Sequence, residues 1–403
     1  MTQQLDTFEV PDRTPFSFTG FDSLIAPLRR ERFFSDYFER KPFIVRRNRA
    51  GYFDSLFSME AVDGLLGTRV LREPDVRRIS NAHQKMSFAQ FSRDGVADRN
   101  ALLRAYTAGD TLVFDQADRL HPPLDRALSQ CEAEIRMPCR VNAFLTPPGN
   151  KGFNLHYDTH EVIVMQVSGT KHWRICNNPL ALPHEEQRYS HALTASAEVI
   201  AELTLYPGDM LYLPRGYIHD AASTNTTSLH ISMALRTRAL REVATMGLKR
   251  ELMASFPMRK MAMFRQHASP AAMANLRLCL HELVDRIDLT EALDDILHAF
   301  IMNRSRPLEG RLLELERAPQ INHDTPLQVR QDCLFHPFER GESIRLAVDG
   351  KTVTLPAALR PVLDYVLASG TFCAHSLPGL EYETRLLLAK KLHAAGMLRL
   401  VAH

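Results

Sequence analysis

The sequence is short of several features, and each shortage argues against a class of protein. Its six cysteines are scattered, with no C-x-x-C pair, which indicates buried or incidental thiols in a reducing compartment rather than disulfides or a zinc knuckle. No apolar run approaches the roughly 18 to 20 residues that a membrane helix needs. The polar start MTQQLDTFEVPDRTPF lacks the apolar segment of a signal peptide. We therefore expect a cytoplasmic protein with no membrane partner.

A charge excess of either sign is also missing. Lys plus Arg number 49 and Asp plus Glu 47, so the formal net charge is only +2. This balance gives no electrostatic reason to expect nucleic acid as a partner. What the chain does have is length and apolar content. Its 403 residues are 45% hydrophobic, enough for two or three domains with a sizeable core.

The first half of the chain changes from helical to β-rich patterns. Segment 28–40 places four aromatic side chains at helical spacing, which predicts a helix that ends before Pro42. Ser58 is expected to cap the next helix. Between residues 112 and 235, short apolar strands alternate with Pro- and Gly-containing turns. This pattern is typical of a sandwich or a small barrel.

The second half is first helical and then mixed. Three segments between residues 236 and 325 carry apolar residues at helical period, with charged opposite faces. They fit either packing helices or a dimer interface. Beyond about residue 326, SIRLAVDGKTVTLP predicts a hairpin that turns at Asp349-Gly350. Two helices follow, the second ending at Gly396, and the strand MLRLV completes an order that resembles a winged helix.

One pair of residues suggests a metal site. His156 and Asp158 begin a segment in which side chains alternate up to Val164, so a strand would place both on one face, about 7 Å apart. An H-x-D pair alone is weak evidence, but the similar pair His184 and Glu186 stands in a polar loop with no strand around it. The context therefore favours the first pair as two ligands of one ion.

A third ligand must come from another strand. His219 follows the apolar strand MLYLP, which a Pro207-Gly208 turn introduces. Two histidines and one carboxylate on one face form the facial triad of non-haem Fe(II) oxygenases, which leaves positions open for a cosubstrate and O₂. A structural zinc site is disfavoured because no cysteine accompanies these residues. Ordinary hydrogen-bonded core residues are the remaining alternative.

Lys171 begins the strand KHWRIC and shares a face with Trp173 and Ile175. A lysine that points into a barrel is costly unless it meets an anion, and the distal carboxylate of 2-oxoglutarate is a natural partner. An exposed hairpin lysine is the alternative, which the neighbouring triad makes the weaker one. Trp173 is expected to pack beneath the site, and His160 either contacts substrate or packs at the rim.

These motifs resemble a known family. VNAFLTPPGNKG, HYD, EVIVMQVSGTKHWRI and PGDMLYLPRGYIH are similar to the JmjC/cupin-like 2-oxoglutarate oxygenases, specifically the ribosomal oxygenase (ribosomal protein hydroxylase) family. The resemblance implies an α+β fold and a homodimer. The implied domains are a JmjC double-stranded β-helix (cupin-like) core with N-terminal helical elements over 1–235, a helical dimerisation domain over 236–325, and a winged-helix domain over 326–403.

The resemblance also implies roles for individual residues. His156, Asp158 and His219 would be the Fe(II) ligands and the catalytic centre, and Lys171 would bind the C5 carboxylate of 2-oxoglutarate. Asn142 matches a polar residue that lines the cosubstrate pocket.

One position departs from the family. Phe144 stands where several relatives have a Tyr whose hydroxyl helps to hold 2-oxoglutarate. We expect Ser228, or else Ser232, on the strand after His219 to compensate.

The implied activity is that of a dioxygenase that uses Fe(II), 2-oxoglutarate and O₂ to hydroxylate an amino-acid side chain of a protein substrate, such as an Arg or His of a ribosomal protein. The carboxylate ligand favours hydroxylation over halogenation. One alternative is a hydroxylase of a peptide or small metabolite in a biosynthetic pathway. Another is a non-enzymatic JmjC-shell binding module that uses its winged helix on nucleic acid. The complete triad and Lys171 favour an enzyme.

Overall fold

The computed structural model describes residues 5–10, 16–80, 82, 84–236, 239–261, 269–304, 310–348 and 350–401. Contacts divide the chain into two compact units, Met1–Arg236 and Thr237–His403. The fold is α+β, with a cupin-like β core in the first unit and a helical region in the second. The six cysteines are free thiols, of which four are buried and two, Cys279 and Cys373, are partly exposed. Among the described residues, no helix is long and apolar enough to cross a membrane.

Two sheets form the core of the first unit. Its strands are β1 (Asp6–Glu9), β2 (Phe43–Arg46), β3 (Val76–Ile79), β4 (Ser92–Arg93), β5 (Val96–Ala97), β6 (Thr111–Phe114), β7 (Cys139–Thr146), β8 (Glu161–Ser168), β9 (Lys171–Cys176), β10 (Val199–Leu205), β11 (Met210–Leu213), β12 (His219–Ser223) and β13 (Ser228–Leu235). The larger sheet has eight strands in the order β1-β2-β11-β8-β13-β7-β6-β3, and the smaller has the order β10-β9-β12. Neighbours pair antiparallel, except the parallel pair β1 and β2.

Strand β8 shows how the larger sheet is buried on both sides. Val162 and Val164 belong to an apolar cluster that includes Trp173 of the smaller sheet. Ile163 and Met165 belong instead to the cluster formed with the N-terminal helices. Successive side chains of a strand point to opposite faces, so a strand covered on both sides has a continuous apolar sequence. We call the face toward the smaller sheet the inner face and the face toward the helices the outer face.

The helices of the first unit pack on the outer face. They are α1 (Phe21–Ile25), α2 (Arg30–Arg32), α3 (Met59–Thr68), α4 (Arg99–Thr107), α5 (Ala117–Leu120) and α6 (Pro122–Ile135). The predicted cap is confirmed, since the Ser58 hydroxyl accepts a hydrogen bond from the Ala61 N–H at 3.2 Å.

The helix predicted over 28–40 is confirmed as a helical segment, but it spans only residues 30–37 and is not one regular α-helix. After α2 the chain forms a π-helix over Phe33–Tyr37, in which the Phe38 N–H donates to the Phe33 carbonyl at 2.8 Å. A π-turn is wider than an α-turn. The two ends of this π-helix, Phe33 and Tyr37, are both buried. Aromatic packing therefore prevails over the regular helical period here.

The second unit has its own apolar core. Its helices are α7 (Leu240–Ala254), α8 (Pro270–Val284), α9 (Leu289–Met302), α10 (Arg311–Arg317), α11 (Arg360–Ala368) and α12 (Tyr382–Ala395). Its strands are β14 (Leu327–Val329), β15 (Phe335–Arg340), β16 (Ser343–Val348), β17 (Lys351–Pro356) and β18 (Leu398–Leu400). Strands β15, β16 and β17 form one sheet, and β14 pairs with β18.

Several predictions for this unit are confirmed. Helices α7, α8 and α9 occupy the three predicted helical segments. Strands β16 and β17 form the predicted hairpin, although Asp349 of its turn lies outside the described residues. Gly396 ends α12 with φ at +97°, a left-handed conformation that glycine adopts without the strain of a side chain.

Candidate metal and cosubstrate site

The three predicted metal ligands come together in a cavity of about 300 Å³ between the two sheets. One ligand atom from each of His156, Asp158 and His219 lies within 4.8 Å of the others. His219 Nε2 is 3.8 Å from Asp158 Oδ2, and the centroids of the two imidazole rings are 4.6 Å apart. This spacing allows one ion to contact all three side chains.

The backbone brings these ligands together in a way that the alternation pattern did not predict. A continuous strand from His156 to Val164 is wrong, because β8 begins only at Glu161. His156 instead forms an isolated bridge with His219, each N–H donating to the other's carbonyl, at 3.1 and 2.8 Å. Between the first two ligands, Tyr157 is buried and its hydroxyl donates to the Gln187 carbonyl at 2.8 Å. The HYD segment is therefore held by pairing and packing rather than by the sheet.

Both imidazoles are oriented by backbone carbonyls. His156 Nδ1 lies 2.8 Å from the Asn154 carbonyl oxygen, and His219 Nδ1 lies 2.9 Å from the Tyr217 carbonyl oxygen. A carbonyl can only accept, so each Nδ1 carries the proton and each Nε2 keeps its lone pair for a metal.

The electrostatics of the triad also suit a metal. Burial, followed by the nearby His156, lowers the pKa of His219 to about 4, so this imidazole is neutral at pH 7. Burial alone would raise the pKa of Asp158, but His160 and the two histidine ligands hold it below its usual value. His219 and Asp158 thus present a neutral imidazole and an ionised carboxylate, the protonation states that bind a divalent cation.

Lys171 lies in the same cavity and is only 3% exposed. Its Nζ lies 3.1 Å from Thr146 Oγ1 and 3.5 Å from His230 Nδ1. No carboxylate among the described residues pairs with it, and burial lowers its pKa to about 7. A buried ammonium without a counter-ion is a strong indication of an anion-binding position.

The other predicted residues divide into those inside the cavity and one outside it. Asn142 lines the cavity, and its side-chain oxygen accepts from the Gln116 N–H at 3.0 Å. His160 and Ser232 also line it. Ser228, predicted as a cosubstrate contact, is not among the lining residues, and Gln166 Nε2 donates to its hydroxyl at 3.0 Å. The role of Ser228 as a cosubstrate contact stays a prediction.

Three polar lining residues were missed from the sequence. His230 is 3% exposed, and its ring stacks on Phe144 at 4.7 Å between centroids. Thr111 and Arg77 reach the cavity from β6 and β3, and Arg77 makes a two-point ion pair with Asp115. The histidine was detectable, because His230 and Ser232 alternate with apolar residues in SLHISMAL. Nothing in the local sequence marks the other two.

Trp173 is a wall of the cavity rather than only a support beneath it. Its ring lies 5.9 Å from that of His219 and 5.7 Å from that of His230. Its Nε1 is buried without a hydrogen-bond partner in the described part of the chain. Buried donors usually have a partner, so this indole adds to the polar groups here that a bound ligand would satisfy.

Comparisons with known proteins agree with this geometry. Residues 116–243 match the family model of the JmjC domain. "Ribosomal oxygenase 2" of Mus musculus is 32% identical over 230 residues, which cover 56% of this chain and 48% of that protein. "Bifunctional lysine-specific demethylase and histidyl-hydroxylase NO66" of Branchiostoma floridae is 30% identical over 235 residues, covering 57% and 35%. The chain thus spans about half the length, or less, of these curated relatives.

Solved structures extend the likeness in fold to nearly the whole chain. The X-ray structure of E. coli ycfD has a TM-score of 0.56 at 19% identity and covers 96% of this chain and 100% of that chain. The ribosomal oxygenase YcfD from Escherichia coli in complex with cobalt and 2-oxoglutarate has a TM-score of 0.54 at 18% identity, covering 93% and 99%. The resemblance found in the sequence is confirmed: this chain carries a JmjC domain, and ribosomal oxygenases are among its relatives.

Proposed function

We propose that the protein is an Fe(II)- and 2-oxoglutarate-dependent dioxygenase that hydroxylates an amino-acid side chain of a protein substrate, and that this substrate is a ribosomal protein. One observation carries the proposal. His156, Asp158, His219 and Lys171 share a single cavity between the two sheets. The names of the relatives support the choice of substrate.

The residues present fit both groups. Two imidazole Nε2 atoms and one carboxylate form the 2-His-1-carboxylate set that suits non-haem Fe(II) and leaves coordination positions open. The buried Lys171 ammonium suits the distal carboxylate of 2-oxoglutarate. Iron bound there, with 2-oxoglutarate as the source of electrons, would supply the activation of O₂ and the oxidation of a substrate C–H bond.

The chain's own contribution is binding, orientation and exclusion of water. Lys171 neutralises the far end of the cosubstrate and so fixes which way round it lies. Asn142, on the inner face of β7, offers a polar contact along the length of the cosubstrate. Val162, Val164 and Leu213 provide an apolar wall. His160 also lines the cavity, and we assign it to contact with the substrate side chain.

The test is succinate formation by the anaerobically purified protein after Fe(II), 2-oxoglutarate and O₂ are added. Ribosomal proteins, cell-extract peptides and a small-metabolite pool are supplied separately, and His156→Ala is the control. We expect ribosomal proteins to stimulate succinate release, a substrate mass gain of one oxygen atom, and loss of both in the variant. Stimulation only by peptides or metabolites would contradict the proposal that the substrate is a ribosomal protein. A wild-type protein that binds no Fe(II) and makes no succinate would contradict the enzyme.

We further propose the finer domain division: a helical dimerisation domain over 236–325 and a winged-helix-like domain over 326–403. Exposed apolar side chains on helices α7 and α10 support a homodimer, since an interface would remove them from water. Leu240 is 86%, Met253 67% and Leu312 71% exposed. Light scattering should give twice the chain mass, and Leu312→Glu should shift it toward the monomer. A wild-type monomer at high concentration would contradict the dimer. The cytoplasmic location stays a prediction.

A further inference from the structure

The carboxylate of Asp158 lacks the support that both imidazoles of the triad have. Backbone carbonyls orient His156 and His219 through their Nδ1 atoms. Among the described residues, no group donates a hydrogen bond to the Asp158 carboxylate, and its nearest ion-pair partner is His219 Nε2, 3.8 Å away. Ligating carboxylates are usually hydrogen-bonded to a neighbour that orients them. The direction of this carboxylate therefore depends on how firmly its backbone is held.

One backbone hydrogen bond holds Asp158, and it comes from a tight turn. The Gly216 N–H donates to the Asp158 carbonyl at 3.0 Å. The turn runs from Pro214 to Tyr217 and is closed by a hydrogen bond of 3.4 Å between them. Gly216 has a φ of +90° in the third place of this turn, where a type II turn favours glycine. A Cβ there would lie 2.5 Å from the Leu180 carbonyl oxygen, so the turn is also closely packed.

Arg215, the neighbour of that glycine in the turn, is clamped between two carboxylates. Its backbone N–H donates to Glu161 Oε1 at 3.3 Å, and its Nε lies 4.0 Å from the same oxygen. Its Nη2 lies 2.6 Å from Glu39 Oε1, and the side chain is only 11% exposed. Ion pairs removed from water are screened little. The guanidinium therefore holds the turn in place.

Tyr212 completes the network around Arg215. The Tyr212 hydroxyl donates to the carboxylate of Glu161, which is fully buried. The same hydroxyl accepts from the Glu39 N–H at 3.1 Å. Networks of buried hydrogen bonds make the residues that they join more rigid. The two carboxylates that clamp the guanidinium are thus connected to each other through Tyr212.

These contacts join two segments of the chain that each carry a metal ligand. Glu161 follows Asp158 by three residues, and His219 comes directly after the turn 214–217. The turn is bonded to Asp158 at one point and to Glu161 at another. The segment that carries Asp158 lies outside the sheet, because β8 begins only at Glu161. This two-point attachment therefore sets the position of the carboxylate ligand relative to the imidazole of His219.

We propose that Arg215 is a positioning residue for the metal site. Clamped by its two carboxylate partners, it holds the turn that fixes the backbone of Asp158. The assignment rests on the proposed function, because it presumes a metal on the triad. It predicts that the affinity for a divalent metal depends on a side chain that does not itself bind the metal. Loss of such a supporting group typically weakens metal binding by about 10- to 100-fold.

The test measures Mn(II) affinity, since Mn(II) can take the place of Fe(II) and binding is then followed without turnover. Arg215→Met keeps the length of the side chain without its charge, and we expect about 10- to 100-fold weaker binding in electron paramagnetic resonance titrations. Arg46→Met is the matched control. Arg46 pairs with the fully buried Asp209 at 2.9 Å, at the opposite end of β11. This variant should keep the wild-type Mn(II) affinity within about twofold.

Two milder variants separate positioning from folding, which urea unfolding of the metal-free proteins checks. Arg215→Lys keeps the charge and should regain part of the affinity that Arg215→Met loses. Glu39→Gln changes a partly exposed residue and should weaken Mn(II) binding by less than Arg215→Met does. It decides the question if Arg215→Met does not fold.

Wild-type Mn(II) affinity in folded Arg215→Met, or in Glu39→Gln if Arg215→Met does not fold, would overturn the assignment. So would an equal loss of affinity in Arg46→Met, which indicates general destabilisation rather than positioning. A wild-type protein that binds no Mn(II) would instead contradict the proposed function itself.

Discussion

The two faces of the larger sheet lie inside the same unit but differ in chemistry. On the outer face, Ile163 and Ile231 pack in an apolar cluster with the helices, and the buried carboxylate of Glu161 accepts a hydrogen bond from the Tyr212 hydroxyl. On the inner face, the same strands carry His230 and Ser232, opposite Lys171 of the smaller sheet. Buried polar groups lower the free energy of unfolding unless they find partners. The buried polar side chains on the inner face therefore mark where a ligand binds. Apolar residues on the outer face serve stability, and residues on the inner face serve binding.

The largest effect should follow from the change of an inner-face metal ligand. We expect Asp158→Ala to weaken Mn(II) binding by more than about 100-fold, because the only carboxylate of the triad is lost. Succinate formation should fall to background, and the free energy of unfolding of the metal-free protein should change little. Metal binding by electron paramagnetic resonance and urea unfolding check this. Glu186→Ala, in the polar loop, is the matched carboxylate control, and metal affinity retained in Asp158→Ala would break the comparison.

A substitution in the apolar cluster of the outer face should lower the free energy of unfolding and leave ligand binding unchanged. Ile163 is fully buried in the helix-side cluster. Ile163→Ala should lower the free energy of unfolding by about 2 to 5 kcal/mol, from lost burial and the cavity left behind. The folded protein should keep its Mn(II) and 2-oxoglutarate affinities within about twofold of wild type. Urea unfolding and calorimetry on the same sample test this, and a selective loss of ligand affinity would contradict the division of roles.

Removal of the buried Lys171 charge should sharpen the contrast between the inner and outer faces. Lys171→Met keeps the length of the side chain without its charge. We expect about 10- to 100-fold weaker 2-oxoglutarate binding. The free energy of unfolding of the ligand-free protein should stay the same or rise, because a buried charge without a counter-ion no longer has to be desolvated. A variant that binds 2-oxoglutarate as tightly as the wild type would exclude Lys171 as the anchor.

The smallest effect is a pH dependence of cosubstrate affinity. Burial lowers the pKa of Lys171 to about 7 in the ligand-free protein. A bound carboxylate favours the charged form and raises that pKa. Binding above about pH 7 therefore takes up a proton, and the affinity should fall with rising pH by at most about tenfold per unit. Calorimetry from about pH 6 to about pH 9 measures the slope, which should vanish in Lys171→Met. A slope of the opposite sign would refute the assignment.

The sequence predicted the metal end of the cavity better than the carboxylate end. The triad and Lys171 have a fixed spacing in short motifs, and the alternation in KHWRIC correctly placed Lys171 with Trp173 on a buried face. The strand predicted through His156 does not form. His156 instead pairs through a single backbone bridge with His219, which is distant in sequence.

The carboxylate end depends on pairing that no local pattern reveals. His230 becomes significant only when β13 is set in register against β7, which places it on Phe144. Ser228, His230 and Ser232 all lie on the same face of that strand. The alternation pattern therefore could not show which of them reaches the cavity. Only the folded structure does so, because His230 and Ser232 line the cavity and Ser228 is not among its lining residues. Arg77 enters from β3, far away in the chain, through pairing with β6.

The most direct test of the central claim is anaerobic visible spectroscopy of the protein with Fe(II) and 2-oxoglutarate. A 2-oxo acid that chelates Fe(II) through its keto and carboxylate oxygens gives a charge-transfer absorption that neither component shows alone. The wild type should develop this absorption only when both are present. Asp158→Ala should show none, and Lys171→Met should need far more 2-oxoglutarate. A folded wild-type protein that shows no absorption at saturating Fe(II) and 2-oxoglutarate would contradict the account.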